Sequence, residues 1–381
     1  MATTTKFSGT TDISAYTSAD IAKLTATDLA SFSKTQALIL TSDQMAGFSA
    51  TTLPALVSVF KNIPTDALSG IAPKSIVGLP VKSLTTDQIQ ALDGVSQLGA
   101  LTAAQVAALS KTQMSSIDSD NISYLNISAV SISTIDPTLF DNLSNAQIKT
   151  LTTAQIASLS ASQIAVITAD QASALTAVQA PAFKTLSGFS DSTVIPNLDK
   201  SFVAAIPTKT FAVLTEAQLG ALTEDHVHVL TSAQINSLTA AKIGYIDDSD
   251  IAQLTPAAIA GFNKSNISGF DMTYLTGDGQ FAALTSAQIS NLSSDQIEAL
   301  TEDQAAALTA AQVAGITSKQ APYLESADIA ALTPKAFAAL SPADIAVLTD
   351  TLTNAAIGVS SQIQAITVDQ AKLMTTAQAK A

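Results

Sequence analysis

The chain has 381 residues, 47% of them apolar, with no cysteine and a formal net charge of −14. All 17 basic residues are lysines scattered singly, which argues against duplex nucleic acid, since that needs several cations on one face. Zero cysteine excludes disulfides and thiolate metal sites. Only 13% of residues are charged, against about 25% in ordinary soluble proteins. The exposed face is therefore expected to be rich in hydroxyls and amides, and with aromatics at 5%, alanine must do much of the packing.

Residues 1–20 read as a lead-in or cap, and 21–381 as one array in which an apolar residue returns every eighth position. Leu24, Phe32, Leu40, Phe48 and Leu56 open it. Residues 57–100 are degenerate: Ile63, Ile71 and Leu79 persist, but Pro64, Pro73 and Pro80 crowd the cap positions. Regular units return at Leu101 and break again near 126–136. The clearest stretch follows, Leu143, Leu151, Leu159, Ile167 and Leu175, with the unit L-[ST]-x-x-Q-[IVA]-x-x. Residues 184–213 form a third break and 275–283 a fourth. Between and after them run Leu214 to Phe270 and Leu284 to Leu348. The final MTTAQAKA is a partial unit, which suggests that another subunit or further sequence covers that end.

Each octad predicts a very short capped helix. In Leu101-Thr102-Ala103-Ala104-Gln105-Val106, Thr and Gln three residues apart form a capping box, and Leu101 and Val106 occupy the two positions of a hydrophobic staple. Pro137, Pro256, Pro334 and Pro342 each follow the cap directly, at the helical position that tolerates proline best. One continuous helix is excluded, because eight residues overshoot two turns by about 80° and the leucine stripe would wind away from any single core. Such short helices are unstable alone and must stack, so the expected fold is an all-α solenoid or superhelix of tandem octads. A β-solenoid is the alternative, since eight is even. Abundant alanine, the five-residue Leu-to-Ile spacing and only 15 glycines oppose it.

Thr152, Gln155, Ser160, Gln163, Thr168 and Gln171 are the structural capping residues of the clearest stretch. The glutamines either cap helices or, if exposed, form a polar ladder for a neighbouring molecule; capping is the favoured reading. His226 and His228, with Asp247 and Asp250, are the metal candidates, on His-x-His and acidic-cluster chemistry. His226 falls in the glutamine slot, however, and Asp247 in the cap slot, so both have a structural reading, and calcium is the one cofactor considered. No catalytic constellation is legible, so the chain is not expected to be an enzyme.

The LTxxQIxxL octads, as in Leu151 to Leu159 and more loosely Leu300 to Leu308, resemble repeats of large proteobacterial surface or secreted proteins. That resemblance implies an exported structural or adhesive role. Leu254-Thr255-Pro256 is superficially similar to the opening of TAL-effector DNA-binding repeats, but the short period and acidic charge speak against that role. The N-terminus carries no apolar signal-peptide core, so export is expected by another route. No stretch is long and apolar enough to span a membrane. The expected function is a self-assembling cell-surface protein, a component of an S-layer, filament or adhesin. Its expected partner is itself. A scaffold for a protein or cell-surface glycan is the alternative.

Overall fold

The computed structural model describes residues 7–276, 279–349 and 361–381. Among these residues every regular element is helical and none is a strand, so the fold is an all-α solenoid and the β alternative is ruled out. The α-helices are four to six residues long. Two compact units are present, Met1–Leu175 and Thr176–Ala381.

The local code works as the capping argument requires. The Thr102 hydroxyl accepts from the Gln105 N–H at 3.2 Å, and the Gln105 side chain accepts from the Thr102 N–H at 3.0 Å. The helices Pro137–Phe140, Pro256–Ile259, Pro334–Phe337 and Pro342–Ile345 each begin at their proline. Aspartate caps differ: Asp136 and Asp247 accept from the second helical N–H rather than the third, as in an Asx turn. Asp118 makes no side-chain cap bond, and a 3₁₀ segment, Ser119–Tyr124, follows it.

In both units the packing partner of a helix lies three octads, 24 residues, along the chain. In the first unit Ser18–Ile21 packs on Ser42–Met45, and Asn145–Thr150 on Ala169–Ala174. In the second, Thr208–Phe211 packs on Ser232–Ser237, which in turn packs on Pro256–Ile259. Three octads therefore make one coil. Most of the recurrent leucines and of the Ile or Val residues five positions later are buried, Leu24 and Leu159 being partly exposed, and each buried side chain contributes about 1.5–3 kcal/mol relative to exposure. Successive backbones approach closely where glycine precedes the apolar residue. A Cβ on Gly315 would lie 2.3 Å from the Ser286 carbonyl oxygen of the preceding coil.

The register breaks are changes of unit length, not interruptions of the stack. Residues 57–100 keep coiling, with 3₁₀ segments at Phe60–Asn62, Asp66–Gly70 and Pro73–Gly78 in place of α-turns, and Ile63, Ile71 and Leu79 remain buried. Leu125, Val130 and Ile135 are spaced by five, which leaves room only for a bend or a 3₁₀ turn such as Ile132–Thr134. The nine-residue unit from Leu92 to Leu101 absorbs its extra residue as a π-type turn, Gly94–Leu98.

One insertion escapes a reading based on spacing alone. The N–H and hydroxyl of Thr349 donate to Gln362 Oε1 at 2.8 and 3.0 Å, across 13 positions instead of the usual three. Ten extra residues thus separate the two halves of a single octad, whose joined sequence would be Leu-Thr-Ser-Ser-Gln-Ile. Past them the array resumes, with helices Val368–Leu373 and Thr376–Lys380.

Candidate functional site

The residues that recur in the same role are the glutamines, and each does more than cap. Gln155 Oε1 accepts from the Thr152 N–H at 2.9 Å, while its Nε2 donates to the carbonyls of Ile127 and Val130, both at 3.0 Å. Gln163 joins the Ser160 N–H at 3.0 Å to the carbonyls of Ile132 and Ile135, both at 2.8 Å. Gln171 joins the Thr168 N–H at 3.1 Å to Phe140 and Leu143, both at 2.9 Å. The hydroxyls of Thr152, Ser160 and Thr168 accept the glutamine N–H groups in return, each at 3.2 Å.

The physical logic follows from helix ends. A short helix leaves N–H groups free at its start and carbonyls free at its finish. Each glutamine amide accepts from the first set in its own octad. With its NH2 group it satisfies the second set in the coil beneath. These glutamines are buried, so they do not form an exposed ladder, and the reading that offered them to a neighbouring molecule is corrected.

Substitutes in the slot show what it demands. Asn266 Oδ1 accepts from the Asn263 N–H at 2.7 Å and its Nδ2 donates to the carbonyls of Ile235 and Leu238 at 2.9 and 3.2 Å. Lys242 donates its ammonium to the carbonyls of Ala212 and Leu214. Ser75 reaches the Phe48 carbonyl with its hydroxyl at 2.9 Å.

The same slot explains His226. Its buried ring accepts the Thr223 N–H on Nδ1 at 3.2 Å, and its Nε2 lies 2.8 Å from the Leu198 carbonyl, to which it donates. Both nitrogens are thereby used and neither offers a lone pair to a metal. His228 is exposed, with Nδ1 3.1 Å from the Gln253 carbonyl. Asp247 is engaged by the N–H and hydroxyl of Ser249 at 3.0 and 2.7 Å, hydrogen bonds that lower its pKa. Asp250 is partly buried, and that burial, with the negative charges of Asp247 and Glu224, raises its pKa. Among the described residues no group of three or more His, Asp or Glu side chains is placed to hold a metal ion, and no helix is long and apolar enough to cross a membrane.

The downward half of the glutamine contact was not read from the sequence, although a signal existed. A capping box accepts Glu as readily as Gln, yet among the described helices no Glu takes the third helical position. Gln fills most of these positions and Glu none, which marks a slot that usually donates as well as accepts; Asp20, Asp28, Asp328 and Asp344 are the carboxylate exceptions.

Fold and slot together define a repeat protein whose octads are bonded coil to coil. Two segments, residues 140–177 and 278–310, match the ALTTAQ repeat family model. No curated protein sequence matches the chain.

Proposed function

We propose that this protein is a structural component of the cell surface that associates with its own copies, as part of an S-layer, filament or adhesin. The observation that carries the reading is the glutamine row. The residue chemistry that the repeat fixes builds the stack: Gln155, Gln163 and Gln171 join one coil to the next, and Thr152, Ser160 and Thr168 hold those glutamines within their octads. Sparse charge, plentiful Ser and Thr and the absence of cysteine suit an exported, hydroxyl-rich surface. The test is negative-stain microscopy and sedimentation of the full chain over a concentration series, with antibody labelling of intact cells. Ordered arrays and surface labelling support the proposal. A monomer at every concentration, or label only after lysis, overturns it.

A glycan-binding scaffold is the second reading, favoured by one feature of the second unit. An open depression of about 520 Å³ is bordered by Asp191, Ser192, Glu216, Gly220, Gly244 and Tyr245. A half-exposed tyrosine ring beside carboxylates suits one face and the hydroxyls of a sugar. Glycan-array binding that disappears in Tyr245→Ala would select this reading over self-assembly.

A further inference from the structure

Two slots of the second unit, with Ala336 in the slot between them, hold aspartate in place of glutamine, and both are buried: Asp328 is 1% exposed and Asp344 4%. Their surroundings differ by one residue type. Asp344 accepts from the Ser341 N–H at 2.8 Å on one oxygen and from the Ser318 hydroxyl at 2.9 Å on the other. Ser318 stands 26 positions before Asp344, in the coil beneath. The residue at the same offset from Asp328 is Glu302, on the helix Glu302–Ala307, which packs against the helix Ser326–Ala331 that carries Asp328. One buried carboxylate thus meets a hydroxyl donor, whereas the matching position beneath the other holds an exposed carboxylate, Glu302, instead of a hydroxyl. The cap residue of the Asp328 helix is Glu325, whose N–H donates to Asp328 Oδ2 at 3.2 Å and whose own carboxylate adds a third negative charge.

The coil beneath presents carbonyl oxygens to this slot elsewhere in the array, and an ionised carboxylate has no proton to offer them. A neutral carboxyl has one. Asn266 shows that a side chain of this length spans both the cap N–H and two carbonyls of the lower coil. We propose that Asp328 is a proton-dependent clamp: as the carboxylic acid it donates its O–H to a backbone carbonyl of the coil beneath, and as the carboxylate it releases that seam.

The electrostatics agree. Burial is the main cause that pushes the Asp328 pKa up to about 7; the Glu325 N–H opposes the shift, and the charges of Glu325 and Glu302 add to it. The unfolded value is near 3.9. A folded-state pKa raised above the unfolded one means that the neutral form favours folding. The contribution is full below about pH 4 and is lost as pH rises through about 7. The seam is therefore closed in mildly acidic surroundings and loosened in alkaline ones.

The test uses the full chain. Carboxyl carbon NMR follows the Asp328 titration directly, and thermal melting at pH 5 and pH 8 compares the native chain with Asp328→Asn and Glu302→Ser. The expected result is a titration midpoint near 7. Asp328→Asn should gain stability relative to the native chain as pH rises, with a melting-temperature difference in its favour that is larger at pH 8 than at pH 5 by a few degrees. Glu302→Ser, which places at that position the residue type that Asp344 has beneath it, should move the midpoint down. A native midpoint near 4, or a difference between the native chain and Asp328→Asn that is the same at both pH values, overturns the proposal. The NMR titration of the native chain decides even if a variant fails to fold.

Discussion

The Nε2 atom of Gln163 lies 2.8 Å from the carbonyl oxygen of Ile135, 28 residues earlier, and the pairing repeats at the same offset between Gln171 and Leu143. A coil is thereby bonded to its predecessor through side-chain amides, where a β-solenoid would use backbone ladders. Leaving a buried polar group without its partner costs about 1–3 kcal/mol. Gln163→Leu should therefore lower the local stability of its coil by about 2–4 kcal/mol, because it strands one N–H and two carbonyls. Gln163→Glu should cost at least as much, since it keeps the cap bond but sets a charge against the two carbonyls. Amide hydrogen exchange across residues 132–164 measures both. Equal protection in Gln163→Glu and the native chain would refute the donor role.

His226 makes the same two kinds of contact as the glutamines on either side of it, Gln218 and Gln234. His226→Gln is accordingly expected to be neutral, within about 0.5 kcal/mol. His226→Phe fills similar space but loses both polar contacts and should cost about 2–4 kcal/mol. Thermal melting of the two variants side by side separates a hydrogen-bonding role from mere packing.

The closeness of successive coils can be probed at Gly315. Gly315→Ala places a methyl group 2.3 Å from the Ser286 carbonyl oxygen, and backbone must move to admit it. The expected cost is about 1–3 kcal/mol by analogy with overpacked cores. Gly279→Ala, whose nearest neighbour would be Thr276 Oγ1 at 3.7 Å, is the control and should change little. Urea denaturation monitored by circular dichroism reads both.

Deleting residues 350–359 should leave the array intact. Thr349 already pairs with Gln362, and Gln362 already donates to the carbonyls of Ala321 and Leu324 at 3.1 and 2.6 Å. The shortened chain restores an octad of normal spacing. Unchanged helical circular dichroism and a melting temperature equal to or above the native value are expected. Loss of protection at residues 366–380 would show that the ten residues are needed for register.

The sequence made the octad, its cap and its core legible because these are local: Thr102 and Gln105 are three residues apart, and Leu101 and Val106 five. What it concealed was of longer range. The contact from Gln163 to Ile135 spans a whole coil, and no pattern within one unit reports which carbonyls lie beneath. The same distance effect made residues 57–100 look like a break. A unit such as Leu79 to Leu84 or Leu92 to Leu101 violates the period of eight, but it still sets one apolar residue and one bend in place for the next coil. His226 and His228 stand only two positions apart in sequence, yet one faces the core and the other solvent.

Stacking by side-chain amides has a mechanical consequence. Within either unit a coil is held to the one before it by its own few amide bonds and apolar contacts, so tension would peel the coils in succession instead of rupturing the whole body at once. Each step frees one coil of 24 residues, about 80 Å of extended chain. Under load such a stack would lengthen stepwise, roughly one coil at a time, with larger or smaller steps where the unit length changes.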